Sequence, residues 1–134
     1  MSLYVDSSAL LKRYVDEPES DTCERYLLAD PVWITGRHTF VEVRRNLSRL
    51  LAEAALADAR VQFDRDWQRM YVVELDETTC GIAADLAELT GARTLDALHL
   101  AAANRAGRGA LTLLTFDIRQ AQAARAVGLT VVGA

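Results

Sequence analysis

Five short apolar runs separated by helical stretches constrain this chain more than any other feature. The runs are 2–5, 32–35, 71–75, 111–115 and 130–132. Such short apolar runs suit strands buried on both faces, as in a parallel sheet. Helical spacing fills the intervals. One helix follows the first run over 9–15. A second starts around Asp16-Glu17-Pro18-Glu19-Ser20 and stops at Asp30-Pro31. Others are expected over 37–54, 56–70, 76–90, 95–106 and 117–127, with Gly91, Gly107 and Gly128 ending the last three. The second helix is expected to carry Cys23, Tyr26, Leu27 and Leu28 inward. Strand–helix alternation of this kind predicts an α/β fold, a three-layer α/β/α sandwich on a five-stranded parallel sheet. With 134 residues and no repeat or linker, 1–134 reads as a single domain.

The first run ends abruptly in an acid, Asp6, followed by Ser7-Ser8 and then a helix. That arrangement puts a side chain at the carboxyl edge of the sheet, where open α/β folds hold their sites. Asp117 follows the fourth run in the same way. Glu42 lies about two turns into the helix after the second run, and Asp96 opens the helix 95–106. Each acid alone has an ordinary explanation. Asp6 and Asp117 suit helix N-caps. Asp96 suits the positive end of a helix dipole, and Glu42 a solvated helix face. Together they form a carboxylate cluster whose mutual repulsion a hard divalent cation would relieve. Mg²⁺ needs only one or two direct carboxylates and keeps several waters, and Mn²⁺ suits the same oxygen donors. His38 and His99 are read as hydrogen-bonded, half-buried residues rather than ligands.

The balance of charge bears on the partner. Fifteen basic residues face nineteen acidic ones, a formal net charge of -4. Alone this argues mildly against nucleic acid, but an acidic metal cluster lowers the total without repelling substrate once metal is bound. Arg37, Arg44, Arg45 and Arg49 crowd the helix of Glu42 and suit either RNA phosphate or plain solvent. Cys23 and Cys80 have no metal-ligand spacing and are expected to be reduced, partly buried thiols in a cytosolic protein. No leader and no long apolar span is evident, so neither export nor membrane insertion is expected.

Four segments resemble a known family. Tyr4-Val5-Asp6-Ser7-Ser8-Ala9-Leu10, Phe40-Val41-Glu42-Val43, Thr94-Leu95-Asp96-Ala97-Leu98-His99-Leu100-Ala101 and Leu114-Thr115-Phe116-Asp117 look like the motifs of the PIN domain. Their order and spacing are similar to those of VapC toxins, the ribonuclease half of type II toxin–antitoxin modules. The resemblance implies Mg²⁺ or Mn²⁺ dependence, cleavage of RNA, a small VapB-type antitoxin that blocks the site, and a homodimer. Some members carry a further acid after the last one, whereas Ile118-Arg119-Gln120 follows Asp117 here, which leaves one or two metal ions open.

Catalytic and metal-binding roles are therefore expected for Asp6, Glu42, Asp96 and Asp117. Asp6 and Asp96 would be ligands, direct or water-bridged, and Asp117 would complete the site. Glu42 would bind a second ion or orient the attacking water. Ser7 and Thr115 would support the ligands or serve as a cap and a strand-end hydroxyl. Leu10, Leu11, Tyr14 and Val15 would line a groove for an antitoxin helix or pack in the core. A haloacid-dehalogenase-type phosphatase would want an aspartate where Ser8 stands, and a phosphate-binding module would want a glycine-rich first turn. A catalytically silent PIN-like module that binds RNA or protein is the alternative.

Overall fold

The computed structural model describes residues 2–107 and 110–134. The five runs form β1 (Ser2–Val5), β2 (Val32–Gly36), β3 (Tyr71–Val73), β4 (Leu111–Thr115) and β5 (Thr130–Gly133). All pairings are parallel, in the order β3-β2-β1-β4-β5. Helices α1 (Ser7–Tyr14), α2 (Ser20–Ala29), α3 (His38–Leu50) and α4 (Glu53–Arg69) precede β3. Helices α5 (Glu77–Thr90) and α6 (Thr94–Gly107) lead to β4, and α7 (Ile118–Ala126) leads to β5. The expected α/β/α sandwich is the observed architecture.

Side chains of a strand alternate between its faces, and that alternation builds two cores. Leu3, Val5 and Leu114 pack with Leu10, Cys23, Leu27, Val43, Leu47 and Phe63 from α1 to α4. Tyr4, Ile34, Leu111 and Leu113 pack on the other face with Leu100, Ala103 and Ala124 of α6 and α7. Ala83, Ala97 and Ala101 let α5 lie close against α6. On the first face a half-buried ion pair joins α1 to α4. Asp66 accepts from Arg13 Nε at 2.8 Å and from the Tyr14 hydroxyl at 2.7 Å.

Several local expectations need correction. The long helix after β2 stops at Leu50, because Leu51 and Ala52 are extended, and α4 starts at Glu53 with φ +52. No glycine or proline marks that break. Leu28 is 72% exposed and Tyr26 also faces outward, so Cys23 and Leu27 alone anchor α2. Cys80 is exposed, not partly buried, whereas Cys23 lies in the core. Leu10 and Leu11 are core residues, with Tyr14 and Val15 packed against them, so they form no open groove.

Two glycines close helices as expected: Gly91 at φ +74 after α5, and Gly128 at φ +87 after α7. Gly36 has a different duty. A Cβ there would meet the His38 ring at 2.6 Å and the Tyr4 hydroxyl at 3.2 Å. Its missing side chain is the space in which the buried His38 ring sits. Gly36→Ala is expected to overpack this corner and lower stability by about 1–3 kcal/mol, read as a lower midpoint in urea. An unchanged midpoint would mean that the ring moves aside freely.

Candidate active site

Chain order reverses direction across the sheet between β1 and β4. The carboxyl edge at such a switch point is an open crevice. Asp6 follows β1 there and Asp117 lies two residues past β4. Glu42 comes from the second turn of α3 and Asp96 from the first turn of α6. All four acids line one cavity of about 510 Å³, with Ser7, Ser8, Arg93, Thr94, Leu95 and His99.

Capping leaves Asp6 and Asp117 one further oxygen each, because a carboxylate has two. Asp6 Oδ1 accepts from the Ala9 N–H at 3.0 Å and the Ser8 hydroxyl at 2.7 Å. Asp117 Oδ1 accepts from the N–H groups of Arg119 and Gln120 at 2.9 and 3.2 Å. In each case the cap falls on one oxygen, and Oδ2 carries none of these bonds. Ser8, rather than the expected Ser7, supports Asp6. It also accepts from the Phe116 N–H at 3.2 Å and so ties the two strand ends together. Thr115 Oγ1 accepts from the Asp117 N–H at 3.1 Å.

Burial pushes the Asp6 carboxyl above its ordinary range. Attraction to His99 and hydrogen bonds from Thr115, Ala9 and Ser8 offset only part of that. Burial likewise raises Asp96, and the charge of Asp117 adds to the effect, against Arg93 and His99. Arg93 reaches between these two acids, with Nε 3.5 Å from Asp96 Oδ2 and Nη2 4.0 Å from Asp117 Oδ2. Its guanidinium is thus an internal counter-charge at the mouth of the cavity. A second groove, of about 660 Å³, shares Arg93 and Asp96 and adds Arg119 and Gln122.

Glu42 is held apart from the aspartates. Its Oε1 lies 2.8 Å from His99 Nε2 and 3.9 Å from His38 Nε2. Burial would raise its carboxyl, but the His99 bond, the attraction of both histidines and the Ser7 hydroxyl outweigh that and leave it low. His99 Nδ1 lies 2.8 Å from the Tyr4 hydroxyl. Burial and the charges of Asp6 and Glu42 keep that phenol protonated well above its usual range. Since a carboxylate only accepts, His99 Nε2 donates to Glu42. His99 is therefore hydrogen-bonded as expected, but fully rather than half buried. His38 is also buried, and neither of its ring nitrogens has a hydrogen-bond partner.

The donor set of Asp6, Asp96 and Asp117 is all oxygen, which suits Mg²⁺ or Mn²⁺. Among the described residues, only His38, Glu42 and His99 bring three ligand atoms within 4.8 Å of one another. The aspartates are more widely spread, a separation that retained waters can bridge. Of the arginines read as suiting either phosphate or solvent, Arg37 is taken by Glu74 through two bonds of 2.6 and 2.7 Å. Arg44 lies over the Phe40 ring and Arg49 donates to Asn46. Arg93, which sequence reasoning passed over, is the arginine at the site. Its spacing three residues before Asp96 on a helical turn was the available signal.

The family model for the PIN domain matches residues 3–126. The chain belongs to the PIN domain family. It is 34% identical over 131 residues to Ribonuclease VapC46 of Mycobacterium tuberculosis, covering 98% of this chain and 96% of that one. The solved structure of M. tuberculosis VapC20, described as a sarcin–ricin-loop-cleaving toxin, superposes with a TM-score of 0.71 at 18% identity over 98% of both chains. DNA-bound VapBC from Salmonella typhimurium gives 0.71 at 17% identity, over 98% of this chain and 97% of that one. At these identities the two structures speak for the PIN fold. Among the described residues, no helix is long and apolar enough to cross a membrane.

Proposed function

We propose that this protein is a metal-dependent endoribonuclease that hydrolyses RNA phosphodiester bonds as the toxin of a toxin–antitoxin pair in the cytoplasm. The observation that carries the reading is the meeting of Asp6, Glu42, Asp96 and Asp117 around one cavity at the switch point. Membership of the PIN family and whole-chain similarity to a protein named a VapC ribonuclease support it.

Asp6, Asp96 and Asp117 would hold Mg²⁺ or Mn²⁺. Such an ion, when bound, supplies an activated water and stabilises negative charge developing on the phosphate. Glu42, ionised at neutral pH and fixed by His99 and Ser7, orients the attacking water. Ser8 and Thr115 hold the strand ends so that Asp6 and Asp117 face the same space. Arg93 is 67% exposed, so its pairing with Asp96 and Asp117 is worth at most about 1 kcal/mol. It is therefore free to turn from the acids to a phosphate, and the groove with Arg119 continues the track.

Likeness to VapC proteins and to VapBC complexes supports an antitoxin partner, and the charges suggest how it would bind. A VapB-type antitoxin would block the cleft by placing a basic side chain where Arg93 now sits, pairing with the aspartates. A homodimer is the assembly in which we place the chain.

The test is cleavage of a panel of structured RNAs by purified protein with chelator, with Mg²⁺ and with Mn²⁺. Metal-dependent internal cuts are expected. Binding of RNA without cuts under every metal condition would leave a silent RNA-binding module instead. Arg93→Ala is expected to lower kcat/KM about tenfold, mostly through KM. It should also flatten the salt dependence of RNA binding by about 0.7 in log–log slope, the loss of one phosphate contact. An unchanged slope would leave Arg93 only its pairing with the acids.

A further inference from the structure

Beside the aspartates, three further side chains converge. We infer that His38, Glu42 and His99 form a second metal site, one for a divalent transition-metal ion of the Zn²⁺ kind. It is separate from the all-oxygen site of Asp6, Asp96 and Asp117, and it shares with the proposed cleavage machinery Glu42 and the His99 that positions it.

Three observations carry this. The first is convergence. The Nε2 atoms of both histidines face the same Glu42 oxygen, at 2.8 and 3.9 Å, and all three ligand atoms lie within 4.8 Å of one another. Tetrahedral Zn²⁺ with bonds of about 2.0–2.1 Å places its ligand atoms roughly 3.4 Å apart. The two distances to Glu42 bracket that value, so side-chain adjustment without a backbone shift would seat the ion. His38 and Glu42 stand one turn apart on α3, on one face, and α6 brings His99 across from them.

The second is His38 itself. Its side chain is 7% exposed, and both ring nitrogens lack a hydrogen-bond partner. A buried imidazole in that state forfeits the hydrogen bonds it makes in water. The protein nevertheless makes room for it, since Gly36 leaves out the Cβ that would strike the ring.

The third is the support behind His99. A histidine ligand usually passes its other nitrogen to an outer partner that fixes the ring. Here Tyr4 is that partner, at 2.8 Å from Nδ1. Without metal, His99 donates to Glu42 through Nε2. With metal on Nε2, the Nδ1–H donates to the Tyr4 oxygen across the same contact. Entry is open, because Glu42 and His99 line the aspartate cavity. Two imidazoles and one carboxylate suit Zn²⁺ and leave a fourth position for water, whereas Mg²⁺ prefers oxygen throughout.

The experiment uses the tag-free full chain, stripped of metal and held in excess Mg²⁺ so that the aspartates are occupied. Zn²⁺ is titrated against a chromophoric chelator, and Co²⁺ is followed by its visible absorption. One equivalent of Zn²⁺ is expected, with Co²⁺ bands of a four- or five-coordinate site. His38→Gln should weaken Zn²⁺ binding at least about tenfold, and it gives up no hydrogen bond, so its melting curve should stay cooperative. His99→Gln should weaken it as well, and Asp6→Asn should leave it within about threefold, a residue outside the ligand set. The inference fails if the folded parent binds no Zn²⁺. It also fails if His38→Gln binds as the parent does, or if Asp6→Asn loses the ion. No readout is RNA cleavage, so the outcome stands whether or not RNA is cut.

Discussion

Asp6→Asn and Asp96→Asn proteins are expected to fold like the parent and to cleave RNA at least about a hundredfold more slowly at saturating Mn²⁺. Asparagine is the informative replacement because Asp6 has two duties. Its Oδ1 caps α1 through Ala9 and holds the Ser8 hydroxyl. Alanine would remove the cap along with the ligand, at about 0.5–2 kcal/mol of stability, and a loss of activity would then be ambiguous. Asparagine keeps an oxygen for both bonds and removes only the charge. Asp96 makes no side-chain cap, and its neighbour Arg93 is largely solvated, so the amide disturbs little there. The measurement pairs single-turnover cleavage with a urea melt of each variant. Parent-like stability with parent-like turnover would take that residue out of the site.

How much of this was legible in the sequence depends on the range of the interaction. The strands were, because short apolar runs bounded by helical spacing are local patterns. The acids at strand ends were, because the end of a parallel strand is a fixed address in the fold. The break at Leu51 and Ala52 was not, since neither residue carries a turn preference and tertiary packing decides it. The choice of Ser8 over Ser7 as the support of Asp6 needs the side-chain direction in the first helical turn, which spacing alone does not supply. The His99–Tyr4 bond joins residues 95 apart in the chain, and no periodicity announces it. His38 could have been placed beside Glu42 from its spacing of four. That Gly36 leaves room for its ring belongs to the packed structure alone.

Mn²⁺ is expected to raise the melting temperature of the chelator-treated protein, and Asp117→Asn is expected to shrink that gain. The charges set the direction. Burial raises the carboxyls of Asp6 and Asp96 above their ordinary value of 3.8. A group so raised binds its proton more tightly in the folded chain than in the unfolded one. The metal-free protein therefore loses stability as pH rises from the ordinary value through the raised one, and above that window the full loss persists. An ion bound only by the folded state offsets it, by about 2.7 kcal/mol at a hundred times Kd. Because the acids must be ionised to bind metal, the Mn²⁺ gain should fade as pH drops back through the same window. Asp117 tests the account without disturbing the fold. Asparagine caps as well as aspartate, so Oδ1 can still accept from Arg119 and Gln120. What disappears is a negative charge that raises Asp96. The metal-free variant should therefore melt at or above the metal-free parent. With Mn²⁺ it should gain less, since one ligand of the site is gone. Four melting curves decide it: parent and variant, each with chelator and with excess Mn²⁺, in Zn²⁺-free buffer. A residue that only caps α7 would give equal Mn²⁺ shifts in both proteins, and that result would leave Asp117 outside the metal site.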